Sequence, residues 1–98
     1  MATNAIVLYR GAASTGSSTL YTAAATTVVT EILATNTSAS TQTFSISLNG
    51  TTIVNSSTIT ANSTAFLTMK QVLPSGQILA GNASATSVNF SISGVTIV

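Results

Sequence analysis

Between Thr43 and Asn49 the chain alternates without a break, with Phe44, Ile46 and Leu48 on one parity and Ser45, Ser47 and Asn49 on the other. Side chains of a strand point to opposite faces in turn, so this period of two specifies a strand with one dry face. Asn49-Gly50 follows at once, and that dipeptide between strand patterns is the strongest short hairpin signal. Thr43 to Asn49 is therefore expected to pair antiparallel with Thr51 to Asn55. Val88, Phe90 and Ile92, spaced by Asn89 and Ser91, repeat the apolar-in, polar-out pattern.

Elsewhere Val, Ile, Thr, Phe and Tyr, which fit a pleated and half-buried surface, predict strands over Ala5 to Arg10, Thr19 to Thr22, Thr26 to Thr35, Ser57 to Thr60, Thr64 to Gln71, Gln77 to Gly81 and Ser87 to Val98, the last with a break at Gly94. Ala12 to Ser18 reads as a loop. In the third run the apolar residues Val28, Val29, Ile32 and Leu33 do not alternate, so either both faces are covered or a bulge switches the register. Pro74-Ser75-Gly76 suits a type I turn with Pro at the second position. About eight short strands at turn intervals of roughly 8 to 12 residues predict an all-β protein. The expected fold is an antiparallel β-sandwich, Ig-like or jelly-roll-like, in one domain over residues 1 to 98. Phe44, Ile46, Leu48, Phe66, Val88, Phe90 and Ile92 are its expected core. Residues 1 to 18 are read as an N-terminal arm strand and loop, with Ala5 to Arg10 able to add to a neighbour's sheet edge. Both ends are expected to pair as strands or dock on neighbours.

Charge restricts function as firmly as periodicity restricts fold. Of 98 residues only Arg10, Glu31 and Lys70 are charged, and the chain has no His, Cys, Asp or Trp. Acid–base catalysis divides its roles between groups with separated pKa values, and a lone Glu31 has no such partner. Serine and threonine number 34, yet no Ser-x-x-Lys or Gly-x-Ser-x-Gly arrangement supplies an adjacent base. An enzyme is not expected, nor a metal site or cofactor. Two separated cations make no basic patch, so nucleic acid, whose binding scales with the phosphates neutralised, is not an expected partner. No apolar run approaches the roughly 20 residues of a membrane-spanning helix, and a membrane partner is not expected. In the first ten residues the only cation follows the apolar run, the reverse of a secretory leader. Six Asn-x-Ser/Thr triplets, beginning at Asn36, Asn49, Asn55, Asn62, Asn82 and Asn89, follow by chance from the Ser/Thr content.

A net charge of +1 gives little repulsion between copies, and near-neutral surfaces associate. Arg10, Glu31 and Lys70 are the candidates for setting register between subunits. Tyr9 and Tyr21 join them as candidate inter-subunit contacts, or as a platform for sugar, since the remaining aromatics are assigned to the core.

Thr19-Leu20-Tyr21-Thr22, Thr27-Val28-Val29-Thr30, Thr35-Asn36-Thr37-Ser38, Ile59-Thr60-Ala61-Asn62-Ser63-Thr64 and Val88-Asn89-Phe90-Ser91-Ile92-Ser93-Gly94-Val95 together resemble a small β module of tailed-bacteriophage virion proteins. The resemblance runs from about Thr19 to Val98. Ala23-Ala24-Ala25 departs from it, standing where a Pro-containing turn is expected. The resemblance implies a non-catalytic virion component present in many copies. On this reading the chain is a capsid decoration, or cement, protein on the head surface. Its expected partners are copies of itself, a trimer among the options, and the major capsid protein or other virion proteins. The alternatives are a tail or fibre structural protein and a receptor- or carbohydrate-binding module.

Overall fold

A computed structural model describes residues 3 to 97 as eight strands: β1 (Thr3–Ala12), β2 (Ser18–Thr22), β3 (Thr26–Asn36), β4 (Gln42–Leu48), β5 (Thr51–Ile59), β6 (Thr64–Leu73), β7 (Ile78–Ala83) and β8 (Val88–Ile97). They form two four-stranded antiparallel sheets, ordered β1-β8-β3-β6 and β2-β7-β4-β5. Only β4 and β5 are consecutive strands within one sheet. Every other connection crosses between the layers, which makes the protein an eight-stranded jelly roll and decides between the two sandwich types. Met1, Ala2 and Val98 lie outside the described residues, and with them the last residue of the expected final strand.

The two alternating segments form the middle of the core. Phe44, Ile46, Val88, Phe90 and Ile92 are buried. Phe44 of one sheet meets Phe90 of the other edge to face, with ring centroids 6.0 Å apart, a favoured aromatic geometry. Leu48 packs against this core from a half-buried position. Between β4 and β5 the Asn49-Gly50 turn has φ of 48° and 85°, the two positive angles of a type I′ turn, whose twist matches that of the flanking strands.

Bulges resolve the ambiguous runs. In β3 the register shifts between Val29 and Glu31 against both neighbours. Val29 and Ile32 consequently face the core with 0% exposure, while Val28 and Leu33 face outward. β1 is paired along its length with β8, shifting between Val7 and Tyr9. Leu8 is thereby driven into the core, and only the far edge of β1 is left open to a neighbour.

Four expectations are corrected. Phe66 is not core but 71% exposed. Leu67 stands opposite the buried Ile32 and faces inward, so Phe66 must point out, opposite Leu33. Ser57 to Thr60 is not a separate strand, because β5 runs on to Ile59 through a left-handed Ser56 and two register shifts. β8 does not break at Gly94, whose missing side chain admits the Val28 carbonyl: a Cβ there would lie 2.6 Å from that oxygen. The Pro74 turn is of type II, displaced by one residue. Gln77 N–H donates to the Pro74 carbonyl at 3.0 Å, which puts Pro74 first and Gly76, with φ of 88°, third, where a positive angle is required.

Two polar side chains are fully buried. Thr27 Oγ1 donates to the Ala25 carbonyl at 2.9 Å. Asn36 holds one end of the sandwich together. Its Nδ2 donates to the carbonyls of Ser40 (2.7 Å), Ile59 (3.0 Å) and Thr60 (3.3 Å), and its Oδ1 accepts from the Ser38 amide and hydroxyl. Every buried side-chain polar atom among the described residues has a partner, as a native core requires.

Candidate docking face

The two outer faces of the sandwich differ in chemistry. Residues directly opposite in an antiparallel pair point to the same side of the sheet, so the register gives the rows on the outer face of the β1-β8-β3-β6 sheet. One row reads Ala5, Val95, Val28, Val72 across the four strands. The next row, two residues along β1 and β8, three along β3 and four along β6, reads Val7, Ser93, Glu31, Thr68. The next reads Arg10, Ser91, Leu33, Phe66. The first row is apolar from edge to edge. Phe66, Val72 and Val7, at 71%, 58% and 50% exposure, are the three most exposed large hydrophobic residues among those described, and all three stand on this face.

On the outer face of the β2-β7-β4-β5 sheet the corresponding row is Thr19, Ala80, Ser47, Thr52. Beside it, where β5 swings away through its left-handed Ser56, lies a depression of about 230 Å³ lined by Ser17, Ser45, Ser47, Thr52, Asn55 and Asn82. Ser45 Oγ accepts the Ser56 amide at 2.9 Å. The depression holds neutral donors and acceptors and no ionisable group, so it can hydrogen-bond a polar molecule but supplies no acid, base or nucleophile pair.

Of the candidate residues, the three charged ones stand on the same outer face, on three different strands. Arg10 and Glu31 occupy neighbouring rows, with Arg10 Nε donating to Ser91 Oγ at 3.3 Å. Lys70 is exposed on the edge strand β6, and the alternation from Thr68 to Val72 turns it to the same side. The tyrosines are placed differently. Tyr9, in one sheet, donates its hydroxyl to the Ala12 carbonyl at 2.7 Å, and Tyr21 belongs to the other sheet. Both are half-buried against the core and present no joint aromatic platform. Phe66 and Val72 were missed as surface residues because β6 has apolar side chains on both parities. Counting Ala65, Leu67, Met69 and Leu73 against Phe66 and Val72 identifies the inward set. Among the described residues no three His, Cys, Asp or Glu side chains group as metal ligands.

No family model matches the chain, and no curated protein is similar to it. Among solved structures it is similar to CBM35 from Paenibacillus barcinonensis, at 18% identity and a TM-score of 0.44, over 98% of this chain and 93% of that one.

Proposed function

We propose that the chain is a non-catalytic virion protein of a tailed phage, a capsid decoration protein that docks on the head through the outer face of its β1-β8-β3-β6 sheet. The observation that carries the reading is the asymmetry of the two outer faces. One is crossed by an unbroken apolar row and bears the most exposed hydrophobic side chains. The opposite sheet has no such row: Ser, Thr and Asn prevail on its outer face, and its exposed hydrophobic residues, Ile53 and Ile78, are less exposed at 38% and 36%. Four strands spaced about 4.8 Å apart and ten residues of about 3.3 Å each give a face of roughly 600 Å², near the roughly 800 Å² that each partner contributes to a standard interface. The apolar row and the exposed Phe66 occupy part of that face, and exposed apolar patches rimmed by polar residues mark interaction sites.

The fold alone decides nothing, since jelly rolls serve capsids, lectins and enzymes alike. What joins the face to a virion is the resemblance of the Ser/Thr/Asn-rich strands to phage β modules, together with a nearly uncharged surface suited to dense packing. The mechanism is mass action. A chain that binds the assembled shell and not its dissociated subunits stabilises the shell by RT ln(1 + [L]/Kd). Co-sedimentation with undecorated phage heads tests it: wild-type protein saturates the heads and raises their melting temperature, Val72→Lys fails to, and Ser47→Lys on the polar face binds normally. Equal binding by all three would refute docking through the apolar face.

The polar depression favours one second reading, a receptor- or carbohydrate-binding module on the virion surface. It predicts retention on host polysaccharide that Asn82→Ala abolishes and Val72→Lys leaves intact.

A further inference from the structure

β8 runs from Val88 to Ile97 with a β3 residue opposite each of its ten and no surplus residue of its own. The irregularities lie in its neighbours, where Leu8 is the extra residue of β1 and Thr30 that of β3. A regular, uncharged strand of this length is a template for pairing wherever its edge is bare, and β1 is what covers it. The cover is lightly fastened. Of the ten residues of β1 only Leu8 is buried, with Ile6 and Tyr9 half-buried beside it. Leu8 sits over Gly94, where an added Cβ would meet its Cδ1 at 3.0 Å, so the glycine leaves a notch on β8 that the leucine fills. Past β1 the chain still holds the sandwich at two points. The Ala13 amide donates to the Val88 carbonyl at 2.8 Å, and the Ser14 carbonyl accepts the Ala83 amide at 2.9 Å. Thr15, Gly16 and Ser17 follow, all exposed, with no atom within 4 Å of a Cβ placed at Gly16.

We infer that β1, with Ala13 and Ser14, is an exchangeable arm, and that β8 accepts the β1 of a second copy in the register it uses for its own. Every contact that holds the arm at home is remade on the second copy: the ladder to β8, Leu8 over Gly94, and the bonds of Ala13 and Ser14. The Tyr9 hydroxyl bond to the Ala12 carbonyl lies within the arm and travels with it. Only the course of residues 15 to 17 changes. Three residues extend over about 10 Å, so the two sandwiches sit side by side while the arms cross, and reciprocal exchange closes as a two-fold pair. Short connections of this kind invite exchange, and a net charge of +1 sets little repulsion against the approach. The occupant is specific because the notch at Gly94 and the surplus Leu8 match. A strand without a bulged apolar residue at that point would leave the notch empty.

This inference does not rest on the docking proposal, and its test needs no phage head. The chain has no cysteine, so introduced thiols report alone. Ala5 and Val95 stand opposite each other on the outer side of the β1–β8 pair. Opposed residues of an antiparallel pair have Cα atoms about 4.5–5.5 Å apart, inside the disulfide range. Chains carrying only Ala5→Cys are mixed at high concentration with chains carrying only Val95→Cys, held well below the melting temperature and oxidised mildly. The mixed disulfide, identified by its mass, should accumulate several-fold above that of Ala5→Cys mixed with Ser91→Cys. That control labels the same outer face, but its two Cα atoms would stand about 13 Å apart along the strands. Leu8→Ala, which empties the notch, should speed the Ala5–Val95 product roughly tenfold or more, since release of the arm limits exchange and a buried leucine is costly to lose. The comparison of Val95 with Ser91 stands even where Leu8→Ala does not fold. No excess over the Ser91 mixture, a product that forms only once the whole chain melts, or a rate untouched in folded Leu8→Ala would overturn the exchange.

Discussion

Val28 on β3 and Val72 on β6 stand directly opposite each other on the outside of the sandwich, an apolar cross-strand pair with no further layer of this chain above it. Val95 and Ala5 extend the pair across the sheet to its other edge. Exposed apolar side chains so aligned contribute little to the fold and are free to contribute to association.

Val72→Thr should accordingly leave stability within about 0.5 kcal/mol, as for surface substitutions away from special features. It should also lower the binding of a hydrophobic fluorescent dye to the folded protein. Urea unfolding and dye titration on one sample check both halves. A loss of stability with unchanged dye binding would show that Val72 belongs to the core.

Asn36 is the opposite case, fully buried and bonded at every polar atom. Asn36→Ala leaves the Ser40, Ile59 and Thr60 carbonyls without this donor, and should cost about 3 kcal/mol, at the upper end for a buried hydrogen-bonding group left unsatisfied. Asn36→Asp sharpens the test. A carboxylate facing three carbonyl oxygens is disfavoured when charged, so its folded pKa must lie above the unfolded value of about 3.9. The folded state then binds more protons than the unfolded state. Stability is therefore greatest below about pH 4 and falls as the pH rises from there through the folded pKa. Melting temperatures from pH 3 to pH 8 read the slope; a variant more stable at neutral pH than at pH 3 would contradict the buried geometry.

Gly94 is held by close approach and not by a turn. A methyl group there meets the Val28 carbonyl at 2.6 Å and Leu8 Cδ1 at 3.0 Å. Gly94→Ala should destabilise by about 1–3 kcal/mol, the range for overpacking, which lowers Tm by about 4–8 °C for each kcal/mol in a domain of this size. Thermal melting decides it, with Gly16→Ala, where no atom lies within 4 Å of the added carbon, as the silent control.

At the β4–β5 hairpin the demand is on backbone angle. Gly50 has open space around it but φ of 85°, so Gly50→Ala should cost about 1–2 kcal/mol through left-handed strain alone. Asn49→Gly, at the other positive angle, should be nearly neutral. Equal and negligible effects at both positions would mean that the hairpin adopts a different turn.

Much of the sandwich was legible because alternation is a local signal. Phe44 to Leu48 and Val88 to Ile92 announce both their strands and their inward faces, and Asn49-Gly50 announces its turn. What local pattern does not encode is which parity faces in when both are apolar. Thr64 to Gln71 reads as a strand with either face buried, and the partner strand decides it, where Ile32 fixes Leu67 inward and Phe66 outward. Gly94 was misread for a related reason. Glycine punctuates sequence by default, and its use here, to admit the Val28 carbonyl, depends on a strand more than 60 residues away in the chain. Arg10, Glu31 and Lys70 could be singled out by rarity, but their common face follows from registers that no single segment specifies.

The docking claim is tested most directly by hydroxyl-radical footprinting of the protein free and bound to undecorated phage heads. Val7, on β1 of the docking face, reports head docking, and Ile53 and Ile78 of the other sheet serve as references. The account predicts that bound protein loses labelling at Val7 while Ile53 and Ile78 label as before. Labelling lost at Ile53 and Ile78 with Val7 unchanged would contradict it.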